Sequence, residues 1–348
     1  MTQIGILFLI FPLVVIGAAG AGEIHDAVTQ GQIERVHGLL ETNPQLVLAP
    51  GPNDLAPLHL ACLYRHEAIA ELLIARGADV RAHSGVGDTP LHLCASYKQG
   101  RIVELLLRRG AAVMAKNSHE STPLHYATYS GEPAIIRAIL AAGGDPTARD
   151  LHGSTPLHEA ARTRVVATAS LLLSRGVAID QIDNRGNTPL MRALDPGMTR
   201  PPEPMIEFLL DRGAQIDRRD KEGRTPLQIA LKNKLFSAAE LLVARGADVN
   251  VRDAAGRTLL HIAVIGRQRD FAQVLLKRRI DPNVADREGL TALHYATWDG
   301  NTELARILLA TGVQANPRDA RGLTPLWYAV RLGRGPVESA LRTRGAVE

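Results

Sequence analysis

Aromatic residues are scarce: they make up 4% of the 348 positions, against 45% apolar residues in all. A core built on large ring anchors is therefore excluded, and small aliphatic side chains must fill the interior. Only two cysteines occur, Cys62 and Cys94, too few for a disulfide framework and without the spacing of a zinc site. Lysine is also rare, six among 40 basic residues. Acidic residues interleave with the basic ones, so the net charge of +4 describes a mildly basic surface and not a nucleic-acid-binding tail. Glycine-rich phosphate loops, nucleophile elbows and paired-carboxylate spacings are missing, which leaves an enzyme, a cofactor or a small-molecule substrate nothing to rest on.

Long apolar runs are confined to the N-terminus. Residues 1–21 carry no charged side chain, with an apolar run from Ile4 to Ile16 and a small-residue stretch ending Ala19-Gly20-Ala21. That order reads as an export signal cleaved after Ala21. The alternative is an uncleaved membrane anchor over residues 4–21, near the lower limit of roughly 17 to 25 residues for a spanning helix. Periplasmic or secreted placement follows from the first reading.

What the chain has in abundance is a repeat. A Thr-Pro-Leu-His signature recurs with its second position at Pro57, Pro90, Pro123, Pro156, Pro189, Pro226, Leu259, Ala292 and Pro325, so that seven of eight intervals are 33 residues and one is 37. The threonine suits a helix N-cap, its hydroxyl accepting an orphan N–H, and proline suits the first helical position. Leucine and alanine then recur at helical spacing as a thin apolar face. A leucine-rich second helix follows, as at Leu105-Leu106-Leu107, and ends at a glycine such as Gly110 or Gly143, where left-handed backbone costs glycine nothing. Asp-x-x-Gly turns, as in Asp150 to Gly153, close each unit.

These motifs resemble the ankyrin repeat, whose period and Thr-Pro-Leu-His-x-Ala signature they match from Gly22 to Glu348. The resemblance implies an all-α repeat fold: an ankyrin α-solenoid of stacked helix-turn-helix units with β-turn fingers, and a role in binding proteins. Residues 22–348 are read as one solenoid of about ten units, with 22–54 as N-terminal cap and 323–348 as C-terminal cap. A capped stack is expected to be a monomer. The polar set His25, Asp26, Gln30, Gln32, Glu34 and Arg35 is expected to shield the first end. Ala56 in place of threonine should lose a cap. Leu259 in place of proline, with Arg279 in place of the terminal glycine, should soften the eighth unit. The extra residues of the sixth unit fall in a proline-rich insertion at 195–204.

Six histidines (His59, His92, His125, His158, His261, His294) share one unit position and are read as structural groups bonded to turn backbone, not as metal ligands. Cys62 aligns with Ala95 and Cys94 with Ala61, so each sulfur is expected to fill an alanine-sized gap. A bridge would need Cα atoms within about 7 Å, closer than units spaced roughly 8 to 10 Å apart.

In the ankyrin geometry the variable surface lies at the finger tips and the end of the first helix. Tyr64, Tyr97 and Tyr129 fall there in three consecutive units, forming an aromatic ladder suited to a protein interface, with Trp298 at the same place in a later unit. Arg162, Lys232 and Arg257 lie on fingers or helix ends of the later units and would steer an acidic partner surface. The expected function is a protein-binding scaffold of a bacterial envelope; the alternative is a secreted effector or immunity-type protein acting on a host or rival protein.

Overall fold

Most repeats begin with a threonine held in extended backbone, as Thr89 (φ −94°, ψ 164°), and in most of them a proline follows at the first helical position. Where histidine stands three residues on, the cap differs from the expected one. The threonine N–H donates to the imidazole Nδ1, as Thr89 to His92 at 3.1 Å, and the hydroxyl donates to the same nitrogen at 2.9 Å. Where histidine is replaced the hydroxyl accepts a helix N–H, from Met191 to Thr188 at 3.3 Å and from Trp327 to Thr324 at 3.3 Å. Ala56 therefore keeps the histidine half of the cap, its N–H donating to His59 Nδ1 at 3.1 Å.

Because Nδ1 accepts, Nε2 carries the proton and donates. It reaches the carbonyl just before the next repeat's threonine: His92 to Ser121 at 3.0 Å, His125 to Ser154 at 3.2 Å, His261 to Leu290 at 3.0 Å. Burial lowers the pKa of His59, His92, His125, His261 and His294, with His92 falling to about 4. A charged imidazole would lose both its Nδ1 bonds and its hydration. These side chains are neutral struts that tie one helix start to the next finger.

The structure, a computed structural model, describes residues 22–278 and 280–348. The segment read as an export signal or anchor, residues 1–21, and Arg279 lie outside the described residues. Among the described residues there are twenty α-helices and no strand beyond isolated bridges at Arg252–Thr258 and Ala285–Thr291, and no helix is long and apolar enough to cross a membrane. Two compact units form: one runs through Ala160 and includes Ala167–Val177, the other holds Ala161–Val166 and Ala178–Glu348.

In the first unit the first helices Gly22–Thr29, Pro57–Leu63, Pro90–Ser96 and Pro123–Ser130 pack in sequence, backed by Ile33–Thr42, Glu67–Ala75, Gly100–Arg108 and Pro133–Ala141. The leucine after the proline position is at most 1% exposed in every repeat from Leu58 to Leu326, which stabilises each helix pair by roughly 1.5–3 kcal/mol. Fingers join through backbone bonds, Ser118 N–H to Val86 carbonyl at 2.9 Å and Leu151 to His119 at 2.8 Å. His25, expected on the polar end surface, is instead 4% exposed and bonds the Ala49 carbonyl at 3.1 Å.

The second unit repeats the pattern from the helix Pro189–Arg192 to the helix Gly335–Thr343. Its end is closed by the chain itself: Thr324 Oγ1 donates to the Val347 carbonyl at 3.1 Å, and Val347 N–H donates to Asn316 Oδ1 at 2.7 Å. Trp327 takes the histidine place in this repeat.

Candidate protein-docking site

Tyr64 and Tyr97 each occupy the residue that ends a first helix, while Tyr129 lies inside the helix Pro123–Ser130, which runs further before Gly131 stops it. They emerge on one side of the first unit, with Tyr64 42% and Tyr129 39% exposed and Tyr97 half-buried. Burial raises the pKa of Tyr97, followed by the charge of Asp88 and by Tyr64 and Tyr129 on either side. The three side chains thus lie near one another on this unit.

Directly behind them lies a feature that the sequence reading excluded. Cys62 and Cys94, both fully buried, form a disulfide with Cα atoms 4.9 Å apart. The spacing of roughly 8 to 10 Å applies to helix axes. Cα atoms on facing sides each stand about 2.3 Å inward of their axes, so facing pairs approach to disulfide range wherever the surrounding residues are as small as Ala61 and Ala95. The bridge joins the helices that present Tyr64 and Tyr97. A further tie comes from Gln99, whose side-chain amide donates to the Cys62 carbonyl.

Beside Tyr129 the surface opens into a recess. Tyr126 and Tyr129 form its walls, Asp150 and Glu159 supply carboxylates, and Ser96, Ser121 and His125 complete the lining. Asp150 is 9% and Glu159 6% exposed. Asp150 Oδ1 accepts the N–H groups of His152 at 2.9 Å and Ser154 at 2.8 Å, holding the finger. Asn117 does the same job one repeat earlier, accepting from His119 and Ser121 at 3.0 Å each. Its amide donates onward to Asp88 Oδ1 and to the Tyr126 hydroxyl, both at 2.8 Å. Burial, then the adjacent Asp88 carboxylate, push the Tyr126 phenol well above its ordinary pKa.

The insertion of the sixth repeat is held in place. Arg164, 6% exposed and in left-handed backbone (φ 57°), donates to the carbonyls of Ala193 at 3.0 Å, Asp195 at 2.8 Å and Met198 at 3.4 Å, and to that of Arg200. Burial lowers its pKa, against the opposing charges of Glu203 and Asp195.

The remaining expected site residues lie in the second unit. Trp298 is 49% exposed and stacks on Tyr328 (5.9 Å, 13°). Tyr328 in turn donates its hydroxyl to Asp319 at 2.7 Å. Lys232 is exposed and Arg162 half-buried. Arg257 is paired with Asp253 at 2.8 Å, as is Arg224 with Asp220 at 2.7 Å, so part of the basic charge counted along these fingers is spent within its own turn. Among the described residues no group of three or more His, Cys, Asp or Glu side chains is placed to hold a metal ion.

A family model described as ankyrin repeats in three copies matches residues 24–117, 82–150, 124–220, 200–286 and 260–346. The chain belongs to the ankyrin-repeat family. One curated protein similar to part of it is the Target of rapamycin complex 2 subunit AVO2 of Saccharomyces cerevisiae (strain ATCC 204508 / S288c), 35% identical over 66 residues, which are 19% of this chain and 16% of that protein. The chain thus matches only a small part of that relative's length. Ankyrin repeats are protein-interaction modules, typically without catalysis.

Aligned by ankyrin repeat, the recess had a readable signal. The position four residues after the cap carries Leu60, Leu93, Tyr126, Ile229, Ile262, Tyr295 and Tyr328, but Glu159 in the fifth repeat and Arg192 in the sixth. A buried carboxylate at a position otherwise mostly apolar marks a break in the pattern. Asp150 carried no such mark, because an aspartate there is the ordinary turn residue.

Proposed function

We propose that this ankyrin chain is a non-catalytic docking protein, exported to a bacterial envelope, that grips a partner protein as a monomer through Tyr64, Tyr97 and Tyr129. The tyrosine ladder, backed by the disulfide, carries the reading. Exposed aromatics at adjacent helix ends supply large contact area with few rotatable bonds, and the Cys62–Cys94 bridge holds two of them in register. That bridge also supports export, because disulfides persist in oxidising compartments and are rare in the reducing cytosol. Trp298 offers a second aromatic contact. The exposed basic residues Arg185, Lys221, Lys232 and Arg287, with Arg162 and the partly neutralised Arg257, would steer an acidic region of the same partner.

Affinity capture from the native source, using the wild-type chain and a variant with all three tyrosines changed to alanine, tests the docking surface. Hot-spot residues contribute about 2 kcal/mol or more each, so recovery of the partner should fall at least tenfold; equal recovery refutes the role of the ladder. N-terminal mass spectrometry on fractionated cells tests export. The expected product begins at Gly22 in the periplasm, and an intact Met1 in the cytosol would overturn that placement.

A further inference from the structure

We infer that the helix ends of the eighth, ninth and tenth repeats seat an acidic segment of the partner that carries an aromatic or aliphatic anchor. This rests on reading the chain as a docking protein, but not on the tyrosines of the first unit. Ile265 ends the helix Leu259–Ile265, Trp298 lies in the last turn of Ala292–Asp299, and Leu332 follows Pro325–Arg331. These three helices pack in sequence, and the three side chains are 45%, 49% and 43% exposed. Large apolar groups on successive repeats, rimmed by charge, mark an interaction surface. Its parts are tied together: Arg267 pairs with Asp299 at 2.7 Å, and Arg334 donates to the Trp298 carbonyl at 3.1 Å. Trp298 lies flat on Tyr328 (13°), so one face of the indole is covered and the other is open to an incoming side chain, with little freedom left to lose on binding.

Charge selects what can lie there. The Asp299 carboxylate is taken by Arg267, whereas Arg331 and Arg334 form no ion pair among the described residues. Arg331 is exposed and sits over the Trp327 ring at 5.7 Å. Lys232, exposed at the unit position of Ile265 one repeat earlier, extends the positive rim. A basic segment would meet like charge, and a wholly apolar one would strip water from the guanidiniums and return nothing. A carboxylate gives a guanidinium a charge-assisted hydrogen bond, while the neighbouring anchor covers the indole. An anionic bilayer shares the charge preference, but insertion calls for side chains that project into the headgroups, and this indole lies against its own repeat.

The chain has two tryptophans, Trp298 and Trp327, so Trp327→Phe leaves Trp298 as the sole indole reporter. Random tryptophan-free peptides displayed on phage are selected against the immobilised full chain, then titrated by Trp298 emission and by anisotropy of the labelled peptide. Selected peptides should carry Asp or Glu beside an aromatic or aliphatic residue, shift the Trp298 emission and bind more weakly as salt rises. Trp298→Ser installs the residue that the third repeat carries at this position, Ser96, and should lower affinity at least about tenfold. Arg331→Gln should lower it roughly threefold. Enrichment of basic or uncharged peptides, or equal binding to wild type and Trp298→Ser, overturns the inference. So does an emission shift produced only by phosphatidylglycerol vesicles, which assigns the patch to a membrane. The chain with Tyr64, Tyr97 and Tyr129 changed to alanine should bind the acidic peptides as wild type does. If it loses them while Trp298→Ser keeps them, they occupy the tyrosine surface, and this inference falls while the docking reading stands.

Discussion

Removing the sulfur bridge is the sharpest test of how the tyrosine ladder is held. Replacing both Cys62 and Cys94 by alanine installs the residue that the adjacent repeat carries at each place, Ala95 and Ala61, so packing changes little and the lost crosslink dominates. The bridge spans a sequence separation of 32 residues, and constraining a loop of that size in the unfolded chain is worth about 3.7 kcal/mol at 25 °C by the chain-entropy estimate. In a stack of repeats this stabilisation belongs to the second and third repeats and not to the whole chain. Hydrogen exchange should therefore show the helices Pro57–Leu63 and Pro90–Ser96 losing between about 2 and 4 kcal/mol of protection, with reduced wild type and the double alanine variant indistinguishable. Helices of the second unit should be unaffected. The reasoning is refuted if the protein denatured without reductant titrates with two free thiols, or if reductant leaves the protection of these helices unchanged.

Acid should loosen the repeats through their histidines. The folded-state pKa of His92 lies near 4, below the unfolded value of about 6.5, so its contribution is fully present above about pH 6.5 and is lost as pH falls towards 4, amounting to about 3 kcal/mol. Unfolding midpoints between pH 7 and 4 measure this, and His92→Gln should flatten the slope. Gln228 already keeps the cap half of that task, accepting from Thr225 N–H at 3.0 Å, and donates to the next finger at the Arg252 carbonyl, also at 3.0 Å; an unchanged slope removes His92 from the account. Arg164→Gly keeps the left-handed backbone but strips the insertion of its charged donor, at a cost of about 3 kcal/mol. Limited proteolysis should then nick residues 195–202, and resistance equal to wild type would mean that the loop is held by other contacts. Gly289→Ala should destabilise more than Gly322→Ala although both sit at positive φ. A Cβ at Gly289 meets Ala320 N at 2.6 Å, whereas nothing lies within 4 Å at Gly322; equal midpoints for the two would contradict the close finger stacking.

The repeat period, the helix starts and stops and the turn at each finger were determined by the sequence alone. Each is a local demand: proline fixes φ at the first helical position, glycine accepts left-handed backbone after the second helix, and aspartate folds onto its own turn. The identity of the tyrosine ladder followed from counting along that period, and Glu159 could have been found the same way. Tertiary structure alone decided the rest, because it depends on distances between repeats. Whether Cys62 and Cys94 could bond turned on the few ångströms between a helix axis and its surface. Whether the threonine hydroxyl capped its helix or served the imidazole depended on where the next finger placed its carbonyl. That Arg164 holds the insertion from beneath and that Asp253 lies against Arg257 were fixed only in three dimensions. Backbone preferences are written residue by residue, whereas side-chain partners are chosen only once the repeats have stacked.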